Sequence, residues 1–252
     1  MLETIREKLL EIEEKENVKI LYCVESGSRA TGLDSHDSDY DVRFVYTRKT
    51  EDYLRLEPAR DVIEWQCDGT LDIVGWDVRK ALQLGYRSNP TLLEWISSLV
   101  VYAEREEWRS VAEVIKEFFS VRHTALYYLS MAKRNYATLV KLDTVKYKEY
   151  FYMLRPILAV EWVISKKEIP PIELEALLGI LQDCNVKKEV DALIDAKRSG
   201  SKKIEGAPIA VLNEYIENKI AELSEAVSAL PEEARRDMKL LDAVFLALLN
   251  KR

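Results

Sequence analysis

Hydrophobic and polar positions follow a strand period in the first part of the chain and a helical period after it. The strand period predicts a small sheet. Runs rich in β-branched and aromatic residues, typical of strands, occupy residues 18–24, 40–46, 61–66 and 70–76. Asp68-Gly69 separates the last two runs and predicts a hairpin there. Ahead of the strands, residues 2–15 carry apolar side chains close to helical spacing.

After Asp77 the strand period stops and helical spacing takes over. Asp77 is a predicted helix cap, Gly85 a predicted helix end, and Pro90 a first helical residue. Helices are then predicted at 106–119, 121–140, 145–167, 171–182, 186–198, 209–229 and 232–249. We therefore predict an α+β fold in which a small mixed-sheet core, residues 1–105, precedes an all-helical domain, residues 106–252.

Composition and charge restrict the class of protein and its partners but indicate no specific chemistry. Of 252 residues, 48% are hydrophobic and 32% charged, as in a soluble globular protein, and the net charge of −7 argues against broad polyanion binding. Cys23, Cys67 and Cys184 lack zinc-site spacing and are expected to fill the core. We expect no signal peptide, no membrane span and a cytoplasmic location, and the sequence leaves homo-oligomerisation open.

The stretch "GSRATGLDSHDSDYDVRF" gathers four aspartates that repel one another. Asp39 and Asp41 are two residues apart, so on a strand their carboxylates share one face. A hard divalent cation such as Mg²⁺ binds oxygen ligands and removes that repulsion. Asp34 and Asp37 are interpreted as turn residues of the same loop. Turns and helix caps are the simpler explanation for any Asp-x-Asp pair taken alone.

Two further features make the pattern specific. Asp72 lies in the predicted strand 70–76, and it completes a three-carboxylate cluster if that strand is a neighbour of 40–46; such a cluster suits two-metal phosphoryl transfer. Gly27 and Ser28 follow a buried strand and are predicted to bind phosphate through backbone N–H groups and a hydroxyl. Arg29 and Arg43 are predicted to add positive charge there.

These residues resemble the DNA polymerase β-like nucleotidyltransferase superfamily. The segments "GSRATGLDSHDSDYDVRFVY", "LDIVGWDVRKALQL", "NPTLLEWISS" and "YKEYFYMLRPILAVEW" are similar, more narrowly, to its RNA-repair-pathway-associated branch. The similar segments lie between about residues 22 and 164, and the resemblance weakens in the last third.

The resemblance implies a polymerase β-like palm and a transfer reaction. Two Mg²⁺ ions, with Mn²⁺ as an alternative, would be held by Asp39, Asp41 and Asp72. Asp72 would also activate the attacking hydroxyl, and Gly27 and Ser28 would bind the β and γ phosphates. The reaction would attack the α-phosphate of an NTP, expected to be ATP or CTP, and release pyrophosphate, with an RNA 3′ end as the expected acceptor.

A second group of residues lies in the helical part. Lys148, Tyr152 and Arg155 have i, i+4 and i+7 spacing, so they would share one face of the predicted helix 145–167. Two cations and an aromatic ring suit a triphosphate and a stacked base, and we predict nucleotide contact. Solvated charges with a half-buried tyrosine are the alternative. Pro156 is expected to kink or unwind this helix.

Three functions remain in competition at this point. The first is Mg²⁺-dependent NMP transfer to an RNA 3′ end, in RNA or tRNA repair. The second is the same chemistry on a protein or small-molecule hydroxyl, as in antitoxin-type or aminoglycoside-type transferases. The third is a non-catalytic nucleotide-binding module, which the presence of all three carboxylates disfavours.

Overall fold

The computed structural model describes residues 1–199, 205–234 and 236–250, with only the backbone described at residues 66–68. They form two compact units. The sheet unit comprises Met1–Ala30, Asp39–Phe119 and the described part of Arg235–Arg252. The helical unit comprises Thr31–Ser38 and the described part of Ser120–Ala234. The predicted functional domains, 1–105 and 106–252, stay a prediction.

The strands are β1 (Lys19–Glu25), β2 (Tyr40–Thr47), β3 (Val62–Asp68), β4 (Leu71–Asp77), β5 (Val101–Glu104), β6 (Val145–Lys146) and β7 (Glu205–Gly206). The α-helices are α1 (Leu2–Glu16), α2 (Gly27–Ala30), α3 (Thr50–Tyr53), α4 (Val78–Tyr86), α5 (Pro90–Ile96), α6 (Glu106–Glu117), α7 (Val121–Leu139), α8 (Phe151–Lys166), α9 (Leu174–Leu178), α10 (Cys184–Arg198), α11 (Ala210–Ser228) and α12 (Lys239–Asn250). A 3₁₀ helix occupies Tyr147–Tyr150.

The sheet unit is organised by a five-stranded mixed sheet with the order β3-β4-β2-β1-β5. The β2–β4 pair is parallel, and the other three pairs are antiparallel. One face packs against the buried residues of α1, Ile5, Leu9 and Ile12. The strands contribute alternate residues to this core, so the residues between them point to the opposite face.

The predicted α+β fold is confirmed, as are the four predicted strands and the hairpin. Asp77 caps α4 as predicted, because its side chain accepts a hydrogen bond from the Arg79 N–H at 2.8 Å, and Pro90 lies at the start of α5. The prediction that strands end at Asp77 was wrong. The missing strand is β5, whose four residues are at most half-buried and give little alternation.

Three of the predicted helices in the second half of the chain differ from the observed ones. Residues 145–167 form a short strand, the 3₁₀ helix and α8 in succession, and only Leu174–Leu178 of the predicted 171–182 is α-helical. The predicted helix 232–249 begins instead at Lys239, where the Asp237 side chain accepts a hydrogen bond from the Lys239 N–H. That last helix belongs to the sheet unit.

Helix α8 continues through Pro156, so the predicted unwinding at that residue was wrong. Proline lacks the N–H that would bond the carbonyl four residues earlier, which here is Tyr152. The Asn135 side chain of α7 donates to that carbonyl at 2.7 Å. A polar side chain from a neighbouring helix therefore replaces the missing backbone bond.

The prediction that the cysteines fill the core holds for Cys23 and was wrong for Cys184. Cys23 is buried in the core as predicted, Cys184 is exposed, and the Cys67 side chain lies outside the described residues. Within the described segments, no helix combines the length and apolar character that crossing a membrane requires.

Gly75 in β4 offers a test of this packing. A Cβ there would lie 2.1 Å from the Phe44 ring of β2, so we expect Gly75→Ala to reduce the free energy of unfolding by about 1–3 kcal/mol, measured by denaturant titration. Gly69→Ala is the matched control, because its Cβ would meet nothing within 4 Å. Equal stability of the two variants would contradict the packing of Phe44 over Gly75.

Candidate active site

Two carboxylates lie side by side at the start of the parallel strand pair. Asp41 of β2 is directly opposite Asp72 of β4 in the register. Their neighbours Val42 and Ile73 are buried in the core against α1, so both aspartates project from the other face of the sheet. The condition on which the three-carboxylate prediction depended, that the two strands are neighbours, is therefore met.

Arg43 lies between these carboxylates. Its Nη2 donates to Asp41 Oδ1 at 3.1 Å and to Asp72 Oδ2 at 2.8 Å. Its Nη1 donates to the backbone carbonyls of Val42 and Asp72 at 3.0 and 3.2 Å. The side chain is only 17% exposed, which strengthens its charge interactions. One cationic nitrogen thus contacts both aspartates.

Asp39 lies one residue before β2 and is exposed. The Arg29 guanidinium lies 3.8 Å from the Tyr40 ring centroid, and its Nε donates to the Asp39 carbonyl at 3.3 Å. Burial raises the pKa of Asp41; the Asp72 and Asp39 charges also raise it, and Arg43 opposes these effects. Both other aspartates therefore act electrostatically on Asp41.

Gly27 brings the backbone up to the Asp41 carboxylate. It starts the short helix α2, has a φ of +58°, and a Cβ at this position would lie 1.9 Å from Asp41 Oδ2. The preceding Ser26 N–H donates to the Asp41 carbonyl at 2.8 Å. Both the left-handed conformation and the lack of space require glycine here. Gly27, a predicted phosphate-binding residue, thus lies beside Asp41, a predicted metal ligand.

Glu25 and Tyr102 belong to this arrangement, and the sequence did not predict either. Glu25 is 1% exposed; one of its carboxylate oxygens accepts from the Asp41 N–H at 2.7 Å, and the other accepts from the Tyr102 hydroxyl. Burial raises the pKa of Glu25, although both hydrogen bonds oppose the shift. A carboxylate at the end of the apolar run "ILYCV" is the signal that could have identified it.

Comparison with known proteins identifies the family of this chain. Residues 1–247 match the RNA repair pathway DNA polymerase beta family, RlaP. The chain belongs to this family. It is also 43% identical over 244 residues to "Uncharacterized protein YcgL" of Bacillus subtilis (strain 168), covering 94% of this chain and 92% of that protein.

Similarity to a solved structure is much weaker. A nucleotidyltransferase-like protein from Exiguobacterium sibiricum aligns over 100% of this chain and 80% of its own length, with 11% identity and a TM-score of 0.33. The RlaP match and the mixed sheet with its paired aspartates indicate a polymerase β-like nucleotidyltransferase.

The structure places the predicted site residues of this RlaP member in two groups. Seven belong to the sheet unit: Gly27, Ser28, Arg29, Asp39, Asp41, Arg43 and Asp72. The helical unit carries Lys148, Tyr152 and Arg155. Lys148 lies in the 3₁₀ helix rather than in α8, so these three residues do not share the face of one continuous α-helix. Their predicted nucleotide contact stays a prediction.

Within the helical unit, these three residues have different surroundings. Lys148 is exposed, and Tyr152 is 52% exposed. Arg155 donates through Nε to the Ile172 carbonyl at 3.1 Å. Burial lowers the pKa of Lys197, the nearby Lys148 lowers it further, and Asp34 opposes this. Lys197 therefore adds a cation near Lys148 that the spacing along the chain did not predict.

The positions of the carboxylates show whether these residues fit the predicted divalent metal. Among the residues whose side chains are described, no group of three or more His, Cys, Asp or Glu side chains has metal-binding geometry. Asp41 and Asp72 nevertheless converge on one cationic nitrogen, and all their donor atoms are the carboxylate oxygens that Mg²⁺ prefers. The residues present thus fit a divalent ion in donor chemistry and in their approach to a single cation.

Gly27→Ala tests the close approach to Asp41. We expect loss of nucleotidyl transfer and of stability, because the new Cβ and Asp41 Oδ2 cannot occupy the same space. Gly32→Ala is the matched control: its φ is +73°, but its Cβ would meet nothing within 4 Å. The control should show only the conformational cost of about 1–2 kcal/mol and keep its activity. Full activity of Gly27→Ala would refute the proposed close approach.

Substitutions of Glu25 test its hydrogen bonds. Glu25→Ala leaves the Asp41 N–H and the Tyr102 hydroxyl without their acceptor, and each buried unsatisfied group costs about 1–3 kcal/mol. Glu25→Gln keeps an acceptor for Asp41 and is the matched control. Denaturant unfolding should show a much larger loss for alanine than for glutamine. Equal stability of the two variants would mean that Glu25 does not hold Asp41.

Proposed function

We propose that this RlaP protein transfers a nucleoside monophosphate from an NTP to an acceptor hydroxyl, expected to be an RNA 3′ end. The observation that carries the proposal is the in-register Asp41–Asp72 pair beside Gly27. An attacking hydroxyl and a triphosphate need these two components together: carboxylates where the bond forms, and a close backbone approach for phosphate. The family's description supports RNA as the acceptor.

Each residue has a definite role in the proposed reaction. The acceptor oxygen forms a bond to the α-phosphorus, the bond to the bridging β-phosphate oxygen breaks, and pyrophosphate leaves. Asp72, whose side chain is 45% exposed, accepts the proton of the hydroxyl. Gly27 and Ser28 bind the departing phosphates, and Arg29 adds positive charge beside them.

Asp39, Asp41 and Asp72 would also hold Mg²⁺ or Mn²⁺. When bound, the ions would lower the pKa of the attacking hydroxyl and stabilise charge on the leaving pyrophosphate. The protein would hold two of these ligands, Asp41 and Asp72, in place through the β2–β4 register and through the hydrogen bond that the Asp41 N–H donates to Glu25.

The test follows labelled nucleotide into each class of acceptor. The protein is incubated with each α-³²P-labelled NTP, Mg²⁺ and either pooled small RNAs or protein extract, and label is measured in RNA and in protein. We expect label in RNA, and Asp72→Asn should slow transfer by about 10²–10⁴-fold while NTP binding stays measurable. Asp41→Asn should abolish transfer.

Asp61→Asn is the control, since Asp61 is an exposed carboxylate paired with Lys80. Label appearing in protein alone would overturn the RNA acceptor but keep the chemistry. Transfer at the wild-type rate in the Asp41→Asn and Asp72→Asn variants would overturn the mechanism.

A further inference from the structure

We propose that Arg43 is an internal counterion that a divalent metal must displace before it can bind Asp41 and Asp72 together. The inference rests on the proposed function only in taking these aspartates as metal ligands. In this role Arg43 acts on the two carboxylates before the metal binds, and any contact of Arg43 with phosphate comes later.

The first argument is the position of the guanidinium. Arg43 Nη2 lies within hydrogen-bonding distance of Asp41 Oδ1 and Asp72 Oδ2. An ion held by both carboxylates would need the space that this nitrogen fills. Two cations in that space would also repel each other, and the effect is strong where the side chain is mostly buried. Metal and guanidinium therefore compete for the same two oxygens.

The second argument is that Arg43 is held in place by more than its charge. Its Nη1 donates to the carbonyls of Val42 and Asp72, one in each of the two parallel strands. A cation that only balanced charge at the surface would not need these backbone acceptors. The four donations orient the guanidinium across the strand pair, so removing it from the carboxylates has a definite cost.

The third argument concerns the order of binding. Arginine keeps its charge, so its competition with the metal does not depend on protonation. Once displaced, the guanidinium is available for a phosphate, which is the role that the sequence predicted for Arg43. Metal and NTP would then promote each other's binding through this residue, since coupling between two ligands is reciprocal.

The experiment measures Mn²⁺ affinity by electron paramagnetic resonance and by the thermal shift that Mn²⁺ produces, without substrate. Arg43→Met and Arg43→Gln should bind Mn²⁺ more tightly than the wild-type chain by about tenfold or more, equivalent to about 1.4 kcal/mol. Their melting temperatures should be lower without Mn²⁺ and should rise more when it is added.

Arg48→Met is the matched control because it removes the same charge from the same unit, away from the carboxylates. Arg48 follows the C-terminal end of β2, roughly 20 Å along the strand from Asp41, and donates to the Glu16 and Arg60 carbonyls. It should bind Mn²⁺ as the wild-type chain does. A gain equal to that of the Arg43 variants would indicate a general charge effect and overturn the inference.

A measurement on the wild-type chain covers the case in which the Arg43 variants do not fold. Arginine side-chain ¹⁵N spectra, assigned by specific labelling, should show restricted Arg43 N–H groups that become mobile when Mg²⁺ is added. Unchanged Arg43 signals at saturating Mg²⁺ would overturn the displacement.

The same titrations separate failure of this inference from failure of the proposed function. If Asp41→Asn and Asp72→Asn bind Mn²⁺ as well as the wild-type chain, these carboxylates are not metal ligands, and both proposals fail. If those variants lose Mn²⁺ binding but the Arg43 variants gain none, only the competition is refuted.

Discussion

The repulsion between Asp41 and Asp72 is the constraint that the sheet unit has to accommodate. The parallel register of β2 and β4 places two negative groups opposite each other, with burial and Asp39 adding to the cost of ionising Asp41. Arg43 balances that charge from the same strand face. The same repulsion would favour a divalent cation in the proposed function, so a feature that costs stability locally is also the one that would attract the metal.

The geometry of this site depends on the hydrogen bonds of one buried residue, Glu25. Glu25 ends β1, and its two side-chain oxygens connect the Asp41 N–H to the Tyr102 hydroxyl. Its backbone N–H donates to the Val100 carbonyl, and its own carbonyl accepts from the Ser98 hydroxyl. A buried carboxylate is tolerated when its hydrogen bonds are satisfied. The edge strand β5 therefore helps to fix the position of Asp41.

Local sequence signals predicted the parts of this site that depend on period and spacing. Asp41 on a strand, a hairpin carrying Asp72 and a Gly-Ser turn are readable without a structure, because alternation fixes the face of each strand side chain. The prediction that Asp39 shares that strand was wrong, since β2 begins one residue later, at Tyr40. Other features depend on neighbours distant in sequence. β5 is too short to alternate, the Tyr152 carbonyl is satisfied by Asn135, and Arg43 was interpreted as a phosphate ligand because nothing local shows that it reaches Asp72.

Arginine suits position 43 better than lysine for reasons of both geometry and charge. The four donations of Arg43 come from two nitrogens and reach two carboxylates and two carbonyls, which a lysine with three donors on one nitrogen cannot reproduce. Once away from its carboxylates, a buried lysine would tend to lose its proton, as burial lowers the pKa of Lys197 in the helical unit. Because the chain carries a net charge of −7, its attraction for anionic substrates must come from local cations that stay charged. A guanidinium does so even when metal displaces it from its carboxylates.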